Sequence, residues 1–351
     1  MKPKVLFRVD ANITTGTGHF FRCYALAQAI KGCGFQSIFV GNVNGILLEE
    51  MLEKENFQFW RWQEELSELK TDAEETIKII ESENIISVIV DNKKLDFRWE
   101  RMIRPRVRTL AAIDDTPSRK YDLDVLVSPN MYLEGARPFS GLVPEGCEVF
   151  LGPSSLPLRS EFNTQHKLRD QDRPTKRIGS FFGGADPRNQ SGMILELARL
   201  PEFSHLEFDV VSGPLNPMNV EMFKTASKLS NVRFRTDISD MASFWTEIDV
   251  AFGSYGVSTW ERCALGVATI STVQSEEQVF VSEELARLGA VFNLGKIEDI
   301  QLLDYCQALR LLLSDNHLVQ TIRRNASLVM SRKENSAARL LETLTQTLNQ
   351  G

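Results

Sequence analysis

The chain has 351 residues, enough for about two domains at ~150 residues each. Apolar residues make up 42% and charged residues 25%, the balance of a globular protein rather than a disordered or membrane-embedded one. Forty basic against 47 acidic residues leave a net charge of −7, which gives no general attraction for nucleic acid or an anionic membrane, so any phosphate site has to be local.

Met1-Lys2-Pro3-Lys4 runs directly into a strand, so no leader is expected, and no apolar run approaches the ~20 residues of a spanning helix. Cys23, Cys33, Cys147, Cys263 and Cys306 form no C-x-x-C pair. Reduced thiols in a cytoplasmic protein are the expectation. The four histidines are scattered and make no zinc cluster, and neither a metal nor a cofactor is expected.

In chain order, "KVLFRVD" (4–10) is a compact apolar strand, and residues 19–31 carry apolar side chains near helical spacing. "FQSIFV" (35–40) is strand-like and 45–55 helix-like. "ISVIVD" (86–91), "VRTLAAIDD" (107–115) and "DVLVSPN" (124–130) are buried strands, the first two ending in acids. Residues 152–175, with Pro153, Pro157 and Pro174, break the rhythm and read as a connection between domains. The alternation restarts with strands at 176–186, 206–213, 231–237, 247–256 and 266–272, and 298–349 is helical in pattern. This predicts an α/β protein of two Rossmann-like, doubly wound domains facing across a cleft, residues 1–165 and 166–351. Such sheets bind ligands beyond the carboxyl ends of their strands.

Three strand-to-helix turns carry residues suited to chemistry. In "VDANITTGTGHFFRC", Gly16 and Gly18 precede a helix start that holds His19, with Arg22 one turn further on the same face. An imidazole there is able to take a proton from water. The same residues also read as a glycine turn with a surface histidine. In "SFFGGADPRN" (180–189), Gly183 and Gly184 read either as a phosphate turn or as an ordinary connection. In "GSYGVSTWERCALGVATI" (253–270), Ser258 and Thr259 open a helix containing Glu261. They read as a diphosphate seat with a ribose-binding carboxylate, or as a capped helix. The strand-end acids Asp91, Asp114 and Asp115 sit where such a sheet places function, and equally where a helix takes its cap.

With these stretches in view, "FRVDANITTGTGHFFRCYALA" resembles the start of the UDP-sugar hydrolases of pseudaminic acid biosynthesis, the PseG/SpsG type. The likeness continues in order through "IDD" (113–115), "LGPSSLPLRSEF" (151–162), "FFGGADPRN" (181–189), "DISDMA" (237–242) and "STWERCALG" (258–266). The resemblance implies a GT-B-like fold and metal-independent removal of UDP by water attack at the anomeric carbon. It places the reactive base at His19, and not at His166, His205 or His317. It places nucleotide contacts at Gly183, Gly184, Met241, Ser258, Thr259, Glu261 and Gln278. On the substrate side it places Asp10, Gly16, Gly18, Arg22, Lys93, Ser155 and Arg159. The implied partner is a small UDP-linked sugar, with no nucleic acid and no membrane insertion.

The departures gather on the sugar side. Asn92-Lys93 stand where the family has His-Tyr, Ser155-Leu156 where it has Tyr-Ala, Ser128-Pro129-Asn130 where it has Asp-Gln-Asn, and Glu277-Gln278 where it has Asn-Gln. A lysine replaces an aromatic platform with a point charge, so an anionic sugar enters the expected range. Two other readings stay open: a GT-B glycosyltransferase and a non-catalytic sugar-nucleotide binder.

Overall fold

The computed structural model describes residues 2–132, 137–163, 175–236, 238–331 and 336–349. The chain divides into two compact units. One comprises Met1–Thr15, His19–Ser160 and Lys333–Gly351; the other comprises Gly16–Gly18 and Glu161–Arg332. The domain boundary expected between residues 165 and 166 lies outside the described residues, as do His166 and Asp237.

The first unit contains β1 (Lys4–Val9), α1 (Gly18–Gly32), β2 (Gln36–Gly41), α2 (Ile46–Lys54), β3 (Gln58–Arg61), α3 (Leu69–Glu83) and β4 (Ile85–Asp91). It continues through α4 (Phe97–Ile103), β5 (Thr109–Ile113), β6 (Val125–Ser128) and β7 (Glu148–Leu151). All of α1 from His19 onward belongs to this unit. The seven strands form one parallel sheet in the order β3-β2-β1-β4-β5-β6-β7. Neighbouring residues of β1 enter different cores: Val5, Phe7 and Val9 join one cluster and Leu6 the other. A sheet covered on both faces needs such unbroken apolar strands.

The second unit contains β8 (Arg177–Phe181), α5 (Gln190–Ala198), β9 (Glu207–Val211), α6 (Asn219–Ala226), β10 (Val232–Arg235) and α7 (Met241–Thr246). β11 (Val250–Ser254), α8 (Val257–Ala264), β12 (Ala268–Val273), α9 (Val279–Arg287), β13 (Phe292–Lys296), α10 (Leu302–Ser314) and α11 (Asn316–Met330) follow. Its parallel sheet runs β10-β9-β8-β11-β12-β13.

The last helix, α12 (Ser336–Asn349), belongs to the first unit, although the sequence expectation carried the second domain to residue 351. Leu340 and Leu344, one helical turn apart, are buried in the first unit's core with Phe150 and Leu156. Burying two leucines contributes about 3–6 kcal/mol, and periodicity alone does not say which sheet receives them.

Candidate active site

In the first sheet the chain leaves β1 for β2 on one side and later returns to β4 on the other. The carboxyl ends of β1 and β4 therefore flank a topological switch point, where a doubly wound sheet binds its ligand. β4 ends on Asp91, and the turn after β1 delivers the start of α1. His19 Nδ1 lies 2.7 Å from Asp91 Oδ1. Arg22 grips the same carboxylate, with Nε 2.5 Å from Oδ2 and Nη2 2.7 Å from Oδ1. Its Nη1 donates to both oxygens of Asp115, just beyond β5, at 2.7 and 2.9 Å.

The hydrogen bonds assign the histidine tautomer. Asp91 accepts only, so Nδ1 carries the proton and donates it. Arg22 Nη2 is 3.0 Å from Nδ1, but its proton has a better acceptor in Asp91 Oδ1. Nε2 is left as the basic nitrogen of a ring whose side chain is 19% exposed, against 1% for Asp91. Burial alone would raise the Asp91 carboxyl. The charges of Arg22 and His19 and their hydrogen bonds outweigh it and hold the group well below the ordinary carboxylate range. Burial and the Asp91 charge push the Cys23 thiol well up, so its Sγ, 3.7 Å from Asp91 Oδ2, stays protonated.

Asp115 is itself held. Its carbonyl accepts from Asn130 Nδ2 at 2.7 Å and from Tyr132 OH at 3.1 Å, and that hydroxyl lies 2.7 Å from Ser128 Oγ. Two residues of the altered Ser128-Pro129-Asn130 segment thus support the partner of Arg22. Asp114 turns away, accepting from Thr116 N at 3.1 Å and Arg119 Nε at 3.2 Å.

Asp10, expected on the substrate side, receives four protein donors. They are Arg8 Nη1 (2.7 Å), Arg8 Nη2 (3.1 Å), the Asn42 backbone N–H (2.8 Å) and Asn92 Nδ2 (2.7 Å). It ties the ends of β1, β2 and β4 together. Gly41 makes this possible: a Cβ there would sit 2.0 Å from the Val9 carbonyl and 2.7 Å from Asp10 Oδ1. Arg8 is completed by Asp72 of α3, to which Nη2 donates at 2.6 Å.

Lys93 is exposed in the turn after β4, two residues beyond Asp91. Ser155 is fully buried in a short 3-10 turn after β7, with no hydrogen-bond partner for its Oγ among the described residues. Arg159 is buried, its guanidinium 4.9 Å from the centre of the Phe21 ring. Gly16 has φ +71°, and Gly18 is the first residue of α1.

The second sheet repeats the logic at β8 and β11. β8 runs into Gly183, with φ +95°, and Gly184. The helix start beyond them is capped from within: Asp186 accepts from the N–H groups of Gln190 (2.9 Å) and Ser191 (2.8 Å), so the first turn of α5 is occupied. β11 leads into α8. There Thr259 Oγ1 accepts from Gly256 N at 3.2 Å and donates to the Ser254 carbonyl at 3.1 Å, which makes it a capping group. Ser258 Oγ accepts from Arg262 Nη1 at 3.1 Å. Glu261 is buried one turn into the helix, and Met241 is buried at the start of α7. Gln278 accepts from Gln274 N at 2.8 Å and donates to the Tyr255 carbonyl, joining the ends of β11 and β12.

Reasoning from the sequence missed Asp91 and Asp115 as partners of His19 and Arg22, and Arg262 as a buried cation. The signal for the first two was an acid at a strand end, which a helix cap shares. Among the described residues no three His, Cys, Asp or Glu side chains are grouped so as to hold a metal ion, and no helix is long and apolar enough to cross a membrane.

No family model matches the chain. It is 24% identical over 284 residues to an uncharacterized protein of Methanocaldococcus jannaschii, a match covering 78% of this chain but only 56% of that protein. It is 26% identical over 247 residues to the UDP-2,4-diacetamido-2,4,6-trideoxy-beta-L-altropyranose hydrolase of Campylobacter jejuni, covering 70% of this chain and 82% of the hydrolase. Among solved structures, UDP-GlcNAc 2-epimerase from Neisseria meningitidis bound to UDP-GlcNAc aligns with a TM-score of 0.65 over 100% of both chains at 12% identity. That likeness is one of fold: two parallel-sheet, Rossmann-like α/β units, as the sequence predicts.

Proposed function

We propose that this protein is a hydrolase of a UDP-activated sugar, acting without a metal ion on a diacetamido-trideoxyhexose or a related sugar in surface-glycan biosynthesis. The observation that carries the reading is the hydrogen bond from His19 Nδ1 to Asp91, locked by Arg22 between Asp91 and Asp115. Nε2 takes a proton from water as the water oxygen attacks the anomeric carbon. The bond from that carbon to the diphosphate oxygen breaks, and its electron pair leaves with UDP. One guanidinium faces two carboxylates in this cluster, so it carries a net negative charge. That charge stabilises the imidazolium as it forms.

The second unit is assigned the nucleotide. Its support is the pair of strand ends at Gly183-Gly184 and at the start of α8, and Glu261, one turn into that helix, is the residue proposed to receive ribose hydroxyls. The similarity to the Campylobacter jejuni hydrolase supports the same substrate class. Lys93 is the residue on which the sugar preference turns.

The test is His19→Asn, assayed by UDP release from a panel of UDP-sugars with mass spectrometry of the products. Turnover is expected to fall by ~10²-fold or more while UDP affinity is kept. A variant that hydrolyses at near the wild-type rate, with the acid limb of its pH profile intact, overturns the reading. Transfer to an added sugar acceptor in place of water would make the enzyme a glycosyltransferase.

A further inference from the structure

The second unit contains a buried cation that the chemistry above does not use. Arg262 of α8 is 1% exposed. Its Nη2 donates to the Ser254 carbonyl at 2.9 Å and to Thr259 Oγ1 at 3.3 Å, and its Nη1 donates to Ser258 Oγ at 3.1 Å. Nε is buried and has no hydrogen-bond partner among the described residues. Among the described residues no carboxylate forms an ion pair with it, and the charge of Glu261, its neighbour in the chain, acts on it without such a contact. The guanidinium lies against the backbone of Gly253, where a Cβ would come within 2.7 Å of its central carbon, and 5.5 Å from the centre of the Trp245 ring.

Two rules are broken at one place. A buried charge has no carboxylate in ion-pair contact among the described residues, which is costly in a low-dielectric interior. Two of the three acceptors, the hydroxyls of Ser258 and Thr259, also belong to the first turn of an eight-residue helix, whose positive end disfavours a cation; the third is the carbonyl that ends β11. Burial accordingly pushes Arg262 down to about 10. Arg8 and Arg22 are treated in the opposite way, each between two carboxylates. An anion at the first turn of α8 relieves both penalties together.

We infer that Arg262 is a positioning residue for a diphosphate: it pins Ser258 and Thr259 in the first turn of α8 and supplies the positive charge that the bound diphosphate neutralises. This rests on the assignment of the nucleotide to the second unit. It adds to that assignment the group that makes the helix start select a charged ligand over a neutral one.

The experiment compares UDP with uridine, which lacks the phosphates, by calorimetry on wild-type protein, Arg262→Gln and Arg262→Met. In the variants the preference for UDP over uridine is expected to shrink on the order of 10- to 100-fold, with uridine affinity held within about threefold. Melting midpoints of the free proteins are expected to match or exceed wild type, because an uncompensated buried charge has been removed. Inorganic pyrophosphate is expected to raise the midpoint of wild type above an ionic-strength control and to leave the variants unchanged. Folded variants that keep the wild-type preference overturn the role of Arg262 alone. Variants that both fail to fold overturn it too, since Arg262 would then serve the fold. Wild-type protein that binds neither UDP nor uridine removes the nucleotide assignment, and this inference with it.

Discussion

Asp91→Asn tests the proposed base most directly, because it changes the partner of His19 and leaves the histidine in place. The Asp91 side chain is 1% exposed and receives Arg22 Nε at 2.5 Å, Arg22 Nη2 at 2.7 Å and His19 Nδ1 at 2.7 Å. Removing one partner of a buried ion pair costs ~3–5 kcal/mol. Arg22 keeps Asp115, so the lower end, about 3 kcal/mol, is expected. In a unit of this size that lowers the melting midpoint by ~6–12 °C. The Asn amide also donates to Nδ1 and so favours the tautomer with the proton on Nε2, which cannot accept one from water. Turnover is expected to fall by ~10²–10⁴-fold with UDP affinity unchanged. Nitrogen-15 spectra of the imidazole read the tautomer and UDP release reads the rate. The pH dependence follows from the sign of the shift: Asp91 is depressed in the folded protein. Its contribution is fully present above the unfolded value of ~3.9 and is lost as pH falls toward the folded one. The midpoint difference between wild type and variant is expected to narrow as pH falls below about 4. Wild-type turnover, an unchanged tautomer and a midpoint within about 1 °C of wild type would refute the dyad.

Three further outcomes are expected. Glu261→Ala is expected to weaken UDP and uridine alike by about 1–3 kcal/mol if the carboxylate holds the ribose, and calorimetry showing no change removes Glu261 from the site. Leu340→Ala is expected to cost ~2–5 kcal/mol; hydrogen exchange localising the loss to β1, β5 and β7 would support the place of α12 in the first core, and loss confined to β8–β13 would contradict it. Lys93→Tyr is expected to shift kcat/KM toward the neutral diacetamido sugar across a substrate panel, and identical ratios before and after place Lys93 outside the pocket.

Much of the architecture was legible because parallel strands covered on both faces read as continuous apolar runs. β1, β4 and β12 are of this kind. Two of the three strands that escaped the reading, β3 and β13, are sheet edges with few buried positions, where the pattern fades. The third, β7, is the opposite edge of the first sheet. The site was legible in its local parts only. The Gly-x-Gly turn marked His19, and helical spacing joined Arg22 to it. Their partners lie 72 and 93 residues away, so pairing them requires the strand order. Thr259 shows a further limit: a hydroxyl at a helix start serves a phosphate or the helix itself, and the structure engages it with Gly256 and Ser254.

Arg8 and Arg22 on one side and Arg262 on the other are held in opposite ways, and the difference bears on the proposed chemistry. In the first, Arg8 faces Asp10 and Asp72 while Arg22 faces Asp91 and Asp115, so each cluster is left with an excess carboxylate. Such a field repels phosphate and, in the proposed reaction, stabilises the positive charge that His19 gains as it takes a proton from water. In the second, Arg262 meets hydroxyls and a carbonyl at the positive end of α8, a field that favours an anion. Releasing UDP from a sugar by water attack needs both signs, a base whose cationic product is stabilised and a seat for the charge gathering on the departing diphosphate. A net charge of −7 spread over the chain carries neither signal. In the proposed reaction the separation comes from Arg8 and Arg22 being given carboxylates and Arg262 none in ion-pair contact among the described residues.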